Sequence, residues 1–186
     1  ILKISEILES EQDHFSDKKE HRILSPIIRK DGNIGIVVIS EGCLNSCNFC
    51  STKLARGALR SYRIGDIKRN VENAIKEGCK TIFLSSQDNG CYGFDIKTSL
   101  PELLNEITAI EGDYVIRIGM MNPWHLNKIL TSLIRSYKSD KVMKFLHIPV
   151  QSGSEKVLRD MKRIHTVENY KTAITEFRKN FPEISI

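Results

Sequence analysis

Short apolar runs alternate with amphipathic stretches along this chain. Four runs are apolar enough to predict buried strands, at residues 35–40, 81–86, 115–120 and 145–150. Between and after them, apolar residues recur at helical spacing, as in Ile64, Ile67, Val71, Ala74 and Ile75. Strands that alternate with helices of about 10 to 15 residues predict β/α units and a parallel sheet. The pattern therefore predicts an α/β fold.

Cap residues and helix breakers mark the ends of the predicted helices. Gly78 is placed to end the first helix, and Ser99 is a candidate cap of the second. Asn122 and Pro123 supply a cap and a first-turn proline for the third, and Thr166 opens the fourth. The third helix is expected to run without interruption through Leu126, Ile129, Leu130 and Leu133.

Length and polarity suggest how the chain is organised. At 186 residues with 40% hydrophobic content, it can bury the core of one domain. The polar stretch before the first strand makes residues 1–33 a predicted linker from an amino-terminal domain that the sequence lacks. Residues 34–186 form the predicted core domain, which stops as a further strand begins. There is no apolar run of about 18 to 20 residues and no recognisable signal peptide, so neither a membrane span nor secretion is predicted.

Three cysteines directly after the first predicted strand indicate a metal site. Cys43, Cys47 and Cys50 follow the spacing Cys-x-x-x-Cys-x-x-Cys. A structural zinc site requires four closed ligands, and an odd cysteine count without a secretory signal argues against a disulfide framework. A four-iron, four-sulfur cluster normally takes four thiolates, so three would leave one iron open to a small molecule. Cys79 is expected to be a small buried hydrophobe at the start of the second strand, and Cys91 has no spacing that makes it a fourth ligand.

The cysteine spacing, with the aromatic Phe49 before the third cysteine, resembles that of the radical S-adenosylmethionine (SAM) enzymes. This resemblance implies that the open iron chelates the amino and carboxylate groups of SAM. One electron from the cluster then cleaves the sulfonium and yields a 5′-deoxyadenosyl radical. The cofactors carry that chemistry, while the protein binds them, orients them and excludes water. A cluster sensitive to oxygen also implies a cytoplasmic protein.

Longer segments narrow the resemblance to the methylthiotransferases. They lie at residues 42–50, 55–57, 87–93, 147–154 and 157–163, and residues 117–123 are most similar to the archaeal and eukaryotic branch. That branch acts on N6-threonylcarbamoyladenosine in tRNA and converts it to the 2-methylthio form. The resemblance implies a radical SAM (β/α)6-type barrel, here partial and truncated at the start of its fifth strand. It also implies a tRNA substrate, a flavodoxin or ferredoxin as electron donor, and a second iron–sulfur cluster in the missing amino-terminal domain.

The same resemblance, together with the position of polar loops at strand ends, suggests contacts to SAM. In parallel α/β sheets, ligands bind in the loops at the carboxyl ends of the strands. No catalytic residue is assigned. The predicted SAM-binding residues are Ser86, Gln87, Asp88, Asn122, Gln151, Ser152 and Arg60.

Basic residues suggest where a polyanion could bind. The formal net charge is +5, and a pI near 8.9 favours a polyanionic partner. One basic group, next to the cysteine loop, is expected to contact RNA or SAM: Lys53, Arg56, Arg60 and Arg63. The other lies along a predicted helix, where an ordinary solvated helix face is favoured over RNA contact: Lys156, Arg159, Lys162 and Arg163.

Two other functions are compatible with the sequence. A methylthiotransferase could act on isopentenyladenosine in tRNA or on a ribosomal-protein aspartate. A non-enzymatic iron–sulfur or metal-binding module is the alternative of another class. Such a carrier would ligate every iron with protein, so its spectrum would not change when SAM is added.

Overall fold

The computed structural model describes Ile23 and residues 32–186, so most of the predicted linker lies outside the described residues. The strands are Ile34–Val38 (β1), Ser40–Glu41 (β2), Arg60–Ser61 (β3), Thr81–Ser85 (β4) and Val115–Ile118 (β5). The helices are Thr52–Arg56 (α1), Ile64–Lys76 (α2), Leu100–Thr108 (α3), Pro123–Lys128 (α4), Leu130–Ser136 (α5), Glu155–Asp160 (α6) and Val167–Asn180 (α7). A 3₁₀ turn, Asn89–Cys91, follows β4.

Strands β1, β4 and β5 form a parallel sheet with β4 in the centre. Helix α2 connects β1 to β4, and α3 connects β4 to β5. This confirms the predicted α/β fold with parallel strands. The short strands β2 and β3 pair antiparallel, so the chain between them, with all three clustered cysteines, is a loop closed at its base by two paired residues on each side.

The core lies between one face of this sheet and the helices. Alternate strand residues point into it, including Val37, Ile82, Leu84 and Ile116, which are almost fully buried. Burying a side chain of this size contributes about 1.5–3 kcal/mol. The close approach of α2 to β1 depends on Gly35, where an added Cβ would lie 2.9 Å from the Cβ of Ala74.

The opposite face of the sheet is exposed and partly apolar. Ile34, Ile36 and Val38 of β1 point to this side and are 41%, 55% and 40% exposed. The Arg117 guanidinium lies over the rings of Phe83 and Phe145, at 5.1 and 4.7 Å from their centroids. This face leads towards the cysteine loop at the carboxyl ends of the strands.

Three details of the predicted fold are wrong. Residues 145–150 do not form a strand. The segment from Val142 forms isolated bridges, Ile116 to Val142 and Phe145 to Ser185, and the carbonyl of His147 accepts the N–H of Met121 at 2.9 Å. The predicted third helix is two helices, because the chain breaks at Ile129, where φ is −116°. Cys79 is buried as predicted but lies before β4, which begins at Thr81.

The other predicted helix boundaries hold. Helix α7 begins after Thr166 with a capping box, in which the Thr166 hydroxyl accepts the N–H of Asn169 and the Asn169 side chain accepts the N–H of Thr166. Asn122 caps α4 by accepting the N–H of Trp124 at 3.1 Å. No helix in the described part of the chain is long and apolar enough to cross a membrane.

Candidate cluster site

The cysteine loop turns sharply at a glycine before the first cysteine. Gly42 has φ +75°, and a Cβ added there would lie 2.1 Å from the carbonyl oxygen of Ala58. The next residue, Cys43, donates its N–H to the carbonyl of Gly57 at 3.2 Å. The two ends of the loop are therefore in backbone contact, which leaves no room for a side chain at residue 42.

Each of the three thiols has its own hydrogen-bond donor. The backbone N–H and the side-chain amide of Asn45 lie 3.4 and 3.6 Å from the Cys43 sulfur. The Arg163 guanidinium lies 3.6 Å from the Cys47 sulfur. The hydroxyl and the backbone N–H of Thr52 donate to Cys50 and lower the pKa of its thiol, whereas burial raises the pKa of Cys43 despite its Asn45 donors. Donors to sulfur favour the thiolate form that an iron–sulfur cluster needs.

The carboxyl end of α6 is attached to the cysteine loop. Asn48 donates its backbone N–H to Met161 at 3.1 Å and its side-chain amide to Asp160 at 2.7 Å. Both acceptors are carbonyls at the end of α6, which have no partner within the helix. The loop residue between the second and third cysteine thus caps a helix more than a hundred residues later in the sequence.

The turn after α6 brings Arg163 to the cysteines. Lys162 has φ +54°, its N–H bonds to Arg159, and the N–H of Arg163 bonds back to Leu158 at 2.8 Å. This is a Schellman motif with a lysine where glycine is most frequent. The predicted basic helix face is therefore wrong for Lys162 and Arg163, which follow the end of the helix, and Arg163 faces the cysteine loop.

A cavity of about 190 Å³ brings the cysteines together with several of the predicted SAM-binding residues. Gln87 and Asp88 reach it from the end of β4, Asn122 from the start of α4, and Gln151 from a loop in which it adopts φ +73°. The full lining is Cys43, Asn45, Cys47, Phe49, Cys50, Thr52, Gln87, Asp88, Met120, Asn122, Gln151 and Arg163.

Three predicted SAM-binding residues lie elsewhere. Ser86 lines a larger cavity of about 330 Å³ on the exposed face of the sheet, and Gln87 lines both cavities. Ser152 accepts the N–H of Ser154 in the turn before α6. Arg60 forms an ion pair with Glu41 at 2.8 Å, across the β2–β3 pair that closes the cysteine loop.

The structure also shows polar neighbours of the cysteines that sequence reasoning missed. Asn45, Asn48 and Thr52 were overlooked although they lie within or beside the cysteine spacing. His125 is buried and lies 2.7 Å from Asp88, and only its place after the Asn122 cap could have indicated that position. Arg163 was seen only as one of a run of basic residues.

The remaining cysteine near the site is not arranged as a cluster ligand. Cys91 is buried, and its thiol donates to the carbonyl of Asp88 at 3.3 Å. Burial raises the pKa of this thiol, which favours the protonated form. The Cys91 sulfur lies within 4.8 Å of a carboxylate oxygen of Asp88 and a ring nitrogen of His125, which would be the ligand atoms of a metal site. These residues are already hydrogen-bonded to one another, Cys91 to the carbonyl of Asp88 and His125 to its carboxylate.

Comparison with known proteins decides the family. A family model described as "Radical SAM superfamily" matches residues 37–186, most of the chain. The chain belongs to the radical SAM superfamily. This confirms the resemblance seen in the cysteine spacing, and membership implies SAM and a four-iron, four-sulfur cluster as cofactors.

Curated relatives carry a more specific name. The chain is 54% identical over 151 residues to a "Probable threonylcarbamoyladenosine tRNA methylthiotransferase" of Pyrococcus horikoshii, covering 81% of this chain and 36% of the relative. A relative of the same name from Archaeoglobus fulgidus is 50% identical over 173 residues, covering 92% of this chain and 41% of the relative. The "Threonylcarbamoyladenosine tRNA methylthiotransferase" of Mus musculus is 41% identical over 167 residues, covering 89% and 29%. The resemblance to this branch is thereby confirmed, and the chain spans roughly a third of the length of these relatives.

Solved structures agree on the fold. The radical SAM methyltransferase TsrM of Kitasatospora setae superposes with a TM-score of 0.61 at 13% identity, over 80% of this chain and 29% of that chain. The cobalamin-dependent radical SAM enzyme OxsB superposes with a TM-score of 0.60 at 16% identity, over 75% and 21%. At these identities the likeness shows the fold alone.

The residues of the cavity fit the cluster and its ligand. Three thiols line one cavity, each with an N–H or O–H donor, and amide and backbone groups line the other side. The Nε and Nη2 atoms of Arg163 are buried without a partner in the described part of the chain. Leaving buried guanidinium N–H groups unpaired is costly unless an anion is present, and a cluster held by three thiolates is anionic.

Proposed function

We propose that the chain is the radical SAM part of an enzyme that converts N6-threonylcarbamoyladenosine in tRNA to its 2-methylthio form. The observation that carries this proposal is the combination of a three-cysteine site with 54% identity to a relative of that name. The chain spans about a third of such relatives, so the reaction is proposed for the protein that contains it. Within that protein, residues 1–33 would be a linker and residues 34–186 the core domain.

In this proposal, Cys43, Cys47 and Cys50 hold one four-iron, four-sulfur cluster, and SAM binds beside it. When bound, these groups supply the radical that removes a hydrogen from the substrate. The protein's own residues orient and shield them. Gln87, Asn122 and Gln151 line the cavity from three separate segments, which supports their assignment as SAM contacts. Ser86, Ser152 and Arg60 are retained as weaker candidates because they lie outside this cavity.

Further partners follow from the proposed reaction. The tRNA substrate is proposed to contact the exposed basic residues beside the cysteine loop, of which Arg56 and Arg63 are exposed. A flavodoxin or ferredoxin would donate the electron. A second iron–sulfur cluster would lie in an amino-terminal domain of the whole protein. A tRNA-modifying reaction would operate in the cytoplasm.

The substrate is tested by mass spectrometry of tRNA nucleosides from cells with and without the gene. We expect loss of the gene to remove 2-methylthio-N6-threonylcarbamoyladenosine and leave N6-threonylcarbamoyladenosine. The wild-type gene should restore the modification, whereas a Cys47→Ala gene should not. Retention of the methylthio form in the deletion strain would contradict the proposed substrate. Loss of methylthio-isopentenyladenosine instead would favour a methylthiotransferase that acts on isopentenyladenosine.

A further inference from the structure

We propose that Asn45, Asp88 and His125 form a positioning relay that holds a hydrogen-bond donor on the Cys43 sulfur and so raises the reduction potential of the cluster. The proposal rests on the proposed function only in requiring that Cys43 be a cluster ligand. It assigns Asp88 to positioning, in place of the SAM contact predicted from sequence.

The acceptor positions of Asp88 are filled by the protein. The carboxylate is 1% exposed. Its Oδ1 accepts the backbone N–H groups of Gly90 and Asn122, at 2.9 and 3.0 Å. Its Oδ2 accepts from His125 Nδ1 at 2.7 Å and from Asn45 Nδ2 at 3.4 Å. A carboxylate offers about four acceptor sites, so four donors leave Asp88 no free site for a ligand.

This saturation fixes the side chain of Asn45. An amide presents one donor end and one acceptor end, and only the donor end can face a carboxylate. Nδ2 carries two hydrogens, which suffice for Asp88 and for the Cys43 sulfur at 3.6 Å. The backbone N–H of Asn45 adds a second donor to the same sulfur at 3.4 Å. Asp88 therefore selects the orientation in which Asn45 donates to Cys43.

His125 completes the relay from the opposite side. Its Nδ1 carries the proton in the bond to Asp88, because a carboxylate there can only accept. The ring is buried, with its edge against Phe94 at 5.8 Å between centroids, which limits its rotation. Because the N–H of Asn122, the cap of α4, bonds the same carboxylate, the relay connects the start of α4 with the cysteine loop.

Donors to cluster sulfurs stabilise the added electron, so they raise the reduction potential. Asn45→Ala removes the side-chain donor and keeps the backbone N–H, and should shift the potential to a more negative value. His125→Phe keeps the packing but leaves Asp88 without its closest partner, and should shift the potential in the same direction. His125→Gln offers a new N–H donor to Asp88 and should restore most of the wild-type reduction potential.

The test is redox titration of the reconstituted, full-length protein, followed by electron paramagnetic resonance without tRNA. Cys79→Ala is the control, because this buried cysteine lies before β4, at the opposite end of that strand from the cysteine loop. The potential of this variant should stay at the wild-type value. A wild-type potential and spectrum in Asn45→Ala at full iron content would overturn the relay. If His125→Phe does not fold, the Asn45→Ala result decides alone.

These outcomes are separate from those for the proposed function. Failure of the wild-type protein to bind any cluster would reject both proposals. A potential shift in Asn45→Ala with no methylthio product in any strain would support the relay and reject the substrate assignment.

Discussion

At the scale of single residues, the three clustered cysteines differ from the other two in their surroundings. Cys43, Cys47 and Cys50 line one cavity and receive donors at their sulfurs. Cys79 and Cys91 are buried, and Cys91 acts as a donor itself. This division allows a direct prediction for each cysteine.

We expect alanine at Cys43, Cys47 or Cys50 to abolish the reconstituted cluster, because three thiolates are the minimum that holds it with one open iron. Cys79→Ala and Cys91→Ala should retain it, and they serve as controls. Iron and sulfide content together with the visible spectrum measure the outcome. A full cluster in Cys47→Ala would contradict the ligand set.

A second residue-level prediction concerns Gly42. Alanine there combines φ +75° with a Cβ 2.1 Å from a backbone oxygen. The strained φ alone costs about 1–3 kcal/mol, and relieving the clash must move the loop that carries the cysteines. We expect Gly42→Ala to lower the free energy of unfolding in urea and to reduce cluster content.

Gly65→Ala is the matched control for Gly42. Gly65 lies in the first turn of α2, has no positive φ, and has nothing within 4 Å of an added Cβ. Alanine should raise the stability by up to about 1 kcal/mol there. Equal stability of the two variants would show that the turn at Gly42 can rearrange.

At the scale of elements, the site depends on how α6 ends. Its last carbonyls are capped by Asn48 of the cysteine loop, and its Schellman turn directs Arg163 to Cys47. Helix α6 has six residues and buries only Leu158, so these end contacts, more than core packing, hold it in place. The helix and the cysteine loop should therefore be stable together.

Lys162→Gly should stabilise the protein by about 1 kcal/mol. Lys162 has φ +54°, which costs an L-residue with a Cβ about 1–2 kcal/mol and glycine almost nothing. Part of this gain is offset by the greater freedom of glycine in the unfolded chain. The urea midpoint at constant m-value measures the change.

The control for this turn is Lys156→Gly, an exposed lysine within α6. There the backbone is helical, so glycine should cost up to about 1 kcal/mol. We therefore expect the change in the free energy of unfolding to have opposite signs in Lys162→Gly and Lys156→Gly. A loss of stability in Lys162→Gly would show that the lysine side chain stabilises the protein by more than its positive φ destabilises it.

At the scale of the whole molecule, the chain contains one set of clustered cysteines and a parallel sheet that is open on one face. We expect the 186-residue chain with a reconstituted cluster to cleave SAM to 5′-deoxyadenosine and to transfer no methylthio group to tRNA. Under the proposed function, methylthio transfer uses a second cluster, and the 186 residues contain one set of clustered cysteines. Chromatography of the nucleoside products measures both outcomes.

Cys47→Ala in the same chain is the control for SAM cleavage, and it should yield no 5′-deoxyadenosine. Methylthiolated tRNA from the 186-residue chain would contradict the need for a second cluster. A spectrum that does not change on adding SAM would instead favour the electron-carrier alternative.

Part of this picture could be predicted because its information is local in sequence. The cysteine spacing, the apolar periodicities and the caps at Asn122 and Thr166 each lie within a few residues, and all agree with the structure. The segment at 145–150 was mistaken for a strand because a short apolar run indicates burial but not pairing. Likewise, the stripe through Ile129 predicted burial correctly but not the break between α4 and α5.

The sequence by itself determined the α/β class and the family, and its cysteine spacing predicted the cluster ligands. Only the tertiary structure decided which polar groups surround those cysteines. Asn45 and His125 meet at Asp88, and Arg163 reaches Cys47, across separations of 37 to 116 residues. Such contacts depend on how strands and helix ends pack in space, and no spacing along the chain encodes them. For that reason Asp88, which looked like a ligand contact in sequence, has a carboxylate filled by the protein's own donors.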